Sequence, residues 1–303
     1  LLKGRTCIVF CAGASFTSGK GRLAVPHDGV NEAPLFMRLP GLIGLLCILS
    51  TLCRGDEPVL IQTPEEVKAS PYDNLRIGVP IFTDFVVDRE GFCIGYSRQY
   101  RQPLWVQYRL EAREVAADAC VVSGQTIRFH KDPVVPGAPS PDDYTHSGYD
   151  RGHMAPAGDM QWSAAALAAS YAMTNVCPQH PHCNRRTLRR LEELIRSWAR
   201  NEKELYVISG PVFKENPITI GNGTIPVPEA FYKIVYDVTP PQKMIAFLIP
   251  NRETKQPLGA LTVTVREVEK VTGYDFFNFL PEPTQERLEL IVSTNDWIWI
   301  VEK

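Results

Sequence analysis

Beyond residue 55 the chain has no surplus of positive charge. Six of the 32 Lys and Arg and two of the 34 Asp and Glu lie in residues 1–55, which leaves 26 basic against 32 acidic residues and a net charge of −6 in the remainder. A global positive field that gathers nucleic acid is therefore excluded, and any polyanion site must be a local patch. Apolar runs long enough for several membrane spans are also lacking. No internal repeat, Gly-every-third pattern or low-complexity tract occurs, so solenoid and collagen-like readings fall away. What remains is a chain of 303 residues, 44% hydrophobic and 10% aromatic, enough to bury a sizeable core.

One apolar run stands out, Leu39 to Cys53, behind Met37-Arg38 and ahead of Arg54-Gly55-Asp56. A short basic start, an apolar stretch and a polar end are the parts of a secretory signal, and the run is short for a transmembrane helix. The expectation is a start at Met37, a signal over 37–55, an upstream artefact or extension over 1–36, and a single exported domain over 56–303, secreted or periplasmic. Four cysteines, Cys93, Cys120, Cys177 and Cys183, lie beyond the leader. An even number in an exported chain admits disulfides in three pairings. Cys177–Cys183 with Cys93–Cys120 is the expected set, and free buried thiols are the alternative.

The segment from Pro103 to Leu110 alternates and is rich in aromatic and branched residues, which predicts a strand with Phe92 to Tyr96 as its antiparallel neighbour. Asp132 to Gly148 holds four prolines and two glycines and reads as a surface loop. Ala164 to Ala172 reads as a helix capped by Ser163. Arg185 to Arg200 reads as an amphipathic helix, with Leu188, Leu191, Ile195 and Trp198 as its apolar stripe. Strands are predicted at Leu205–Ser209, Phe231–Tyr236, Met244–Ile249 and Trp297–Val301, and a helix or strand-to-helix junction at Val263–Val271. Strands that follow one another without regular intervening helices indicate an α+β domain built on a central antiparallel sheet.

The chemistry concentrates in Tyr149-Asp150-Arg151-Gly152-His153-Met154-Ala155-Pro156, just after the Pro-rich loop. Thr174-Asn175-Val176-Cys177-Pro178-Gln179 follows, and then Asn184 before the basic helix. Asp-Arg-Gly-His-x-x-Pro with a downstream Asn-x-x-Pro-Gln resembles the non-specific DNA/RNA endonucleases, the ββα-metal nucleases that include mitochondrial endonuclease G. Further matches are Pro103-Leu104-Trp105-Val106, Ser209-Gly210-Pro211-Val212-Phe213, Ile225-Pro226-Val227-Pro228 with Phe231-Tyr232-Lys233, and Ile249-Pro250-Asn251.

The resemblance implies a central antiparallel sheet flanked by helices, with a ββα-metal finger as the active site. It implies His153 as general base and Asn184 as the direct ligand of Mg2+, with Mn2+ as the alternative ion. Glu192 matches an acid that acts through water near the ion, Asn175 an asparagine that supports the arrangement, and Arg128 a phosphate-contacting arginine. Arg151 belongs to the signature itself. The implied activity is metal-dependent, sugar-nonspecific hydrolysis of DNA and RNA leaving 5′-phosphate ends, with no small-molecule cofactor and homodimerisation open.

These residue types suit the reaction. A neutral histidine, with an ordinary pKa of about 6.5, accepts a proton from water at physiological pH. Magnesium is a hard ion that keeps several waters and takes few protein oxygens, so one Asn carbonyl suffices as direct ligand. An arginine offers a planar fork to a nonbridging phosphate oxygen. Eight helical residues rise about 12 Å, so Asn184 and Glu192 cannot both grip one ion from a regular helix. Pro181 favours Asn184 on a turn before the helix. The run Arg185, Arg186 and Arg189 reads as a phosphate-binding patch that positions a polyanion without reading bases, or as a plain solvated helix face. Two other readings compete. Cys177, His180, His182 and Cys183 are zinc-type ligands without a recognised spacing, and a catalytically silent relative would bind nucleic acid without cutting it.

Overall fold

The computed structural model describes residues 57–116, 127–292 and 294–300. The leader segments 1–36 and 37–55 and Cys120 lie outside the described residues. Among the described residues twelve strands are present: β1 (Val59–Ile61), β2 (Phe85–Asp88), β3 (Cys93–Ser97), β4 (Gln102–Glu111), β5 (Asp150–His153), β6 (Val176–Gln179), β7 (Glu204–Val212), β8 (Thr219–Ile220), β9 (Ile225–Pro226), β10 (Ala230–Asp237), β11 (Lys243–Pro250) and β12 (Thr262–Val263). The helices are α1 (Pro64–Ala69), α2 (Ala112–Ala116), α3 (Ala164–Ser170), α4 (Arg189–Glu202), α5 (Val265–Thr272) and α6 (Glu282–Glu289). Eight strands form one sheet in the order β1-β2-β3-β4-β7-β10-β11-β12, every pairing antiparallel. The expected α+β class with a central antiparallel sheet is the observed one.

Period-two alternation sorts the central strands onto two cores. On β10, Phe231 and Val235 join the core beneath α4, while Tyr232, Ile234 and Tyr236 join the core on the other face. Lys233 shares the parity of Phe231 and Val235, so it enters the α4 side although it is buried. On β7 the same alternation turns Leu205 and Val207 toward α4 and Tyr206 and Ile208 away. Ser209 follows the first pair and donates to the Met154 carbonyl at 2.8 Å, which ties the sheet to the β5–β6 region.

Helix ends follow local chemistry. Ser163 accepts from the Ala166 amide at 3.3 Å at the start of α3, and Thr264 with Glu267 makes a capping box that turns β12 into α5. The C-terminal segment departs from expectation. Trp297 to Ile300 forms no strand, because its carbonyls bond to side chains of α4: Trp198 Nε1 donates to Ile298 O at 2.5 Å and Ser197 Oγ to Ile300 O at 3.5 Å. Its alternation places Trp297 and Trp299 on Trp198 and leaves Ile298 and Ile300 exposed. The Pro-rich loop is pinned at Asp132, a buried carboxylate that pairs with Arg89 and accepts from Thr174 Oγ1 at 2.5 Å.

The expected Cys177–Cys183 disulfide is not formed, and the Cys93–Cys120 expectation involves a residue outside the described ones. Cys93, Cys177 and Cys183 are free and buried, and burial raises all three thiols. Cys177 and Cys183 belong to the apolar core beneath α4 and contribute packing there.

Candidate active site

β5 and β6 pair as an antiparallel ladder, with Asp150 opposite Gln179, Gly152 opposite Cys177 and His153 opposite Val176. A Cβ at Gly152 would lie 2.0 Å from Gln179 Cδ, so any other residue there would have to displace the buried Gln179 side chain. Asn175 staples the two strands just beyond His153. Its Oδ1 accepts from the Ala155 amide at 2.9 Å, and its Nδ2 donates to the carbonyls of Ala155 (2.9 Å) and Ser170 (2.8 Å). Asn175 is fully buried, and its amide is committed to backbone, which makes it a positioning residue for the strand that carries His153.

The His153 ring lies between two aromatic rings, with centroids 5.0 Å from both Phe129 and Tyr171. Its Nε2 is buried without a hydrogen-bond partner. Burial lowers its pKa from 6.5 to about 4, so the imidazole is neutral at physiological pH and keeps an acceptor lone pair. Arg128 is exposed and immediately precedes Phe129, which brings it beside the ring that packs on His153. Arg151 is half-buried and differently employed. It donates from Nε and Nη2 to the Pro141 carbonyl at 3.0 and 2.7 Å and from Nη2 to Thr145 Oγ1 at 3.3 Å, clamping the loop before β5.

Asn184 is not on a turn before the helix. The helical run opens at Pro181, passes through a π-helical stretch over Cys183–Leu188, and continues into α4. Proline is suited to the first helical position, where its missing N–H is not needed and its φ is already helical. His180 completes the start, since its Nδ1 accepts from the His182 amide at 3.2 Å. Asn184 N then donates to His180 O at 3.0 Å. This use of His180, with Cys177 and Cys183 enclosed in the apolar core, removes the zinc reading of that cluster.

Asp150 links the finger's first strand to this helix, and sequence reasoning passed over it. Its Oδ2 accepts from Asn184 Nδ2 at 3.0 Å, and both its oxygens accept from Arg185, at 2.8 and 2.6 Å. Partial burial opposes its ionisation, but these bonds prevail and hold it below the usual carboxylate range. With Nδ2 committed to Asp150, the amide oxygen of Asn184 is the end left for another ligand. Among the described residues no group of three or more His, Cys, Asp or Glu is arranged to hold a metal. Asn184 offers one hard amide oxygen, oriented by Asp150, which suits an ion that completes its shell with water.

Glu192 is half-buried on α4. Neither neighbouring arginine pairs with it: Arg189 binds Glu193 at 3.0 Å and Arg196 binds Asp159 at 2.7 Å. Desolvation raises Glu192 to about 7, against the attraction of Lys233 and Arg196 and with the repulsion of Asp159 and Glu193. Tyr108 completes this polar group by donating to Asp159 Oδ2 at 2.6 Å. The cluster lies under the sheet face chosen by strand parity, and the lysine within Phe231-Tyr232-Lys233 was the sequence signal for it.

The strand pair presents a neutral histidine and is joined through the Asp150 carboxylate to a helix that presents an asparagine oxygen. The DNA/RNA non-specific endonuclease family model matches residues 70–282. Nuclease C1 of Cunninghamella echinulata var. echinulata is 32% identical over 226 residues, covering 69% of this chain and 89% of that protein. Mitochondrial endonuclease G of Bos taurus is 26% identical over 281 residues, covering 88% and 92%. In a solved EndoG/EndoGI complex, a chain with 27% identity superimposes with a TM-score of 0.64, covering 72% of this chain and 93% of its own length. The chain belongs to the DNA/RNA non-specific endonuclease family.

Proposed function

We propose that this protein hydrolyses phosphodiester bonds of both DNA and RNA without reading sequence, and that it needs Mg2+. The observation that carries the reading is the Asp150 bridge: one carboxylate fixes the amide of Asn184 three residues along β5 from His153. His153 takes a proton from water as the water oxygen attacks phosphorus. The bond to the 3′ oxygen breaks and that oxygen takes a proton from a solvent water, giving a 3′-hydroxyl and a 5′-phosphate end. Arg128 reaches a nonbridging oxygen with its guanidinium fork. Asn184 would hold the ion through its amide oxygen, with Asp150 orienting that amide and Glu192 acting through water. Bound Mg2+ supplies charge neutralisation at the phosphate oxygens. Arg151 and Asn175 position the finger.

Export is part of the proposal and rests on the apolar run at 39–53. Among the described residues no helix is long and apolar enough to cross a membrane.

The test uses the full chain and His153→Ala, each given supercoiled plasmid and single-stranded RNA, with Mg2+ and with excess chelator. The expected result is metal-dependent cleavage of both substrates, falling about 10²–10⁴-fold in the variant while its circular dichroism is unchanged. A folded wild-type chain that binds both substrates and cuts neither with several divalent ions would be a binding module.

A further inference from the structure

The helix that carries Asn184 forms one wall of an open groove of about 600 Å³, and Thr254, Lys255, Gln256 and Leu258 line the other wall. Both walls are anchored to the finger. Asn251, just ahead of the second wall, donates to the carbonyls of Pro178 and Pro228 at 3.0 and 2.8 Å and accepts from the His180 amide at 2.7 Å. At the far end Leu258 is buried in the core beneath α4.

The groove's charges are unequally engaged. Arg185 is neutralised by Asp150 and Arg189 by Glu193. Arg186, Arg190 and Lys255 line the same groove, are exposed, and form no ion pair among the described residues. Glu193 is the one carboxylate lining it, and Arg189 already holds it. Three like charges set together without a counter-charge repel one another, and an anion relieves that repulsion. His182 and Arg185, which flank Asn184 on the same helical run, both line the groove, so a chain whose reacting phosphate lies at Asn184 has the groove immediately beside it.

We propose that this groove holds the phosphodiester backbone of the substrate strand beyond the bond being cut, through Arg186, Arg190 and Lys255. The inference rests on the nuclease reading and deepens it, because the spare cations differ from those that the arginine run alone suggests. Contact is to phosphates, so the groove contributes affinity and salt dependence without base preference.

The experiment measures binding of long polythymidylate and of a thymidine dinucleotide to full-length His153→Ala by fluorescence anisotropy over a salt series. The same chain carrying Arg186→Gln, Arg190→Gln and Lys255→Gln is measured beside it, with Lys270→Gln as a surface control. Circular dichroism checks that each is folded. With three phosphate contacts on a single strand, the slope of log affinity against log salt should fall in magnitude by about 2 for the long strand. The Lys270 control should keep the full slope.

An unchanged slope in the triple variant, while the wild-type chain still cuts plasmid, overturns the groove and spares the nuclease. Equal losses for dinucleotide and long strand also overturn it, by placing the contacts at the reacting phosphate. Tighter binding of polyglutamate than of polythymidylate assigns the groove to an acidic protein instead. If the wild-type chain neither binds nor cuts nucleic acid, both readings fall together.

Discussion

The eight-stranded sheet and the β5–β6 finger are held by different forces. The sheet buries apolar side chains on both faces, in two separate cores, and its stability is spread over many contacts that tolerate exchange. The finger has four-residue strands and is fixed by a few named polar contacts: Asn175 to Ala155, Ser209 to Met154, Asp150 to Asn184 and Arg185. Burial sets where the finger can sit, whereas individual hydrogen bonds set how its side chains point. Core substitutions should therefore cost stability, and finger substitutions should cost chemistry.

The largest test of that division is Phe276→Ala. Phe276 is fully buried on the face away from the finger, edge-on to Tyr232 at 5.4 Å. Its loss should lower unfolding free energy by about 3–5 kcal/mol, read by urea denaturation, while the rate per folded molecule is retained. A folded Phe276→Ala that lost activity as severely as His153→Ala would break the comparison.

Asp150→Ala probes the finger alone. The substitution frees Asn184 Nδ2 and releases Arg185 without opening a core cavity. Mg2+ affinity, measured by titration calorimetry as well as by the metal dependence of cleavage, should weaken about 10–100-fold, the usual consequence of losing a residue that orients a ligand. The midpoint of thermal unfolding should move far less than in Phe276→Ala. Unaltered metal affinity would remove Asp150 from the site.

The same division governs what the sequence disclosed. Strands of the sheet were legible because alternation repeats over a whole strand, and β4, β7, β10 and β11 lie where their apolar and aromatic residues predict. The finger was legible as a motif but its bonding was not. Asp150 and Arg185 are 35 residues apart, and nothing local says that this carboxylate takes that arginine while Arg186 stays free. Pro181 reads equally as a loop residue or as the first residue of a helix, and only the His180 cap decides. Trp297-Ile298-Trp299-Ile300 alternates like a strand because one side packs on a helix, a partner that alternation does not specify.

The smallest expected effects are shifts along the pH axis, and they separate the two polar groups that burial perturbs in opposite senses. Glu192 is raised to about 7, its charge opposed by desolvation, Asp159 and Glu193 and favoured by Lys233 and Arg196, with the Cys183 thiol and the Tyr108 hydroxyl also facing it. If its charged form serves the reaction, cleavage rises as pH climbs toward about 7, and Glu192→Gln abolishes that limb. Lys233→Met, which removes the first attraction, should move the limb upward by about one pH unit. A limb unmoved by either variant would separate Glu192 from the reaction.

Stability follows the proton balance of folded and unfolded chains. Glu192 binds its proton more tightly when folded, so its contribution is full below 4.5 and is lost as pH rises through about 7. His153, lowered to about 4, binds its proton more tightly when unfolded, so its contribution is full above 6.5 and is lost as pH falls through about 4. Between 4.5 and 6.5 the two oppose each other. Asp88, Glu114 and Glu289 are likewise raised by burial, to about 6, 7 and 7, so urea midpoints should fall with pH across that window in the wild-type chain, less steeply in Glu192→Gln and more steeply in His153→Ala. Parallel profiles in the two variants would show that neither group titrates where its burial places it.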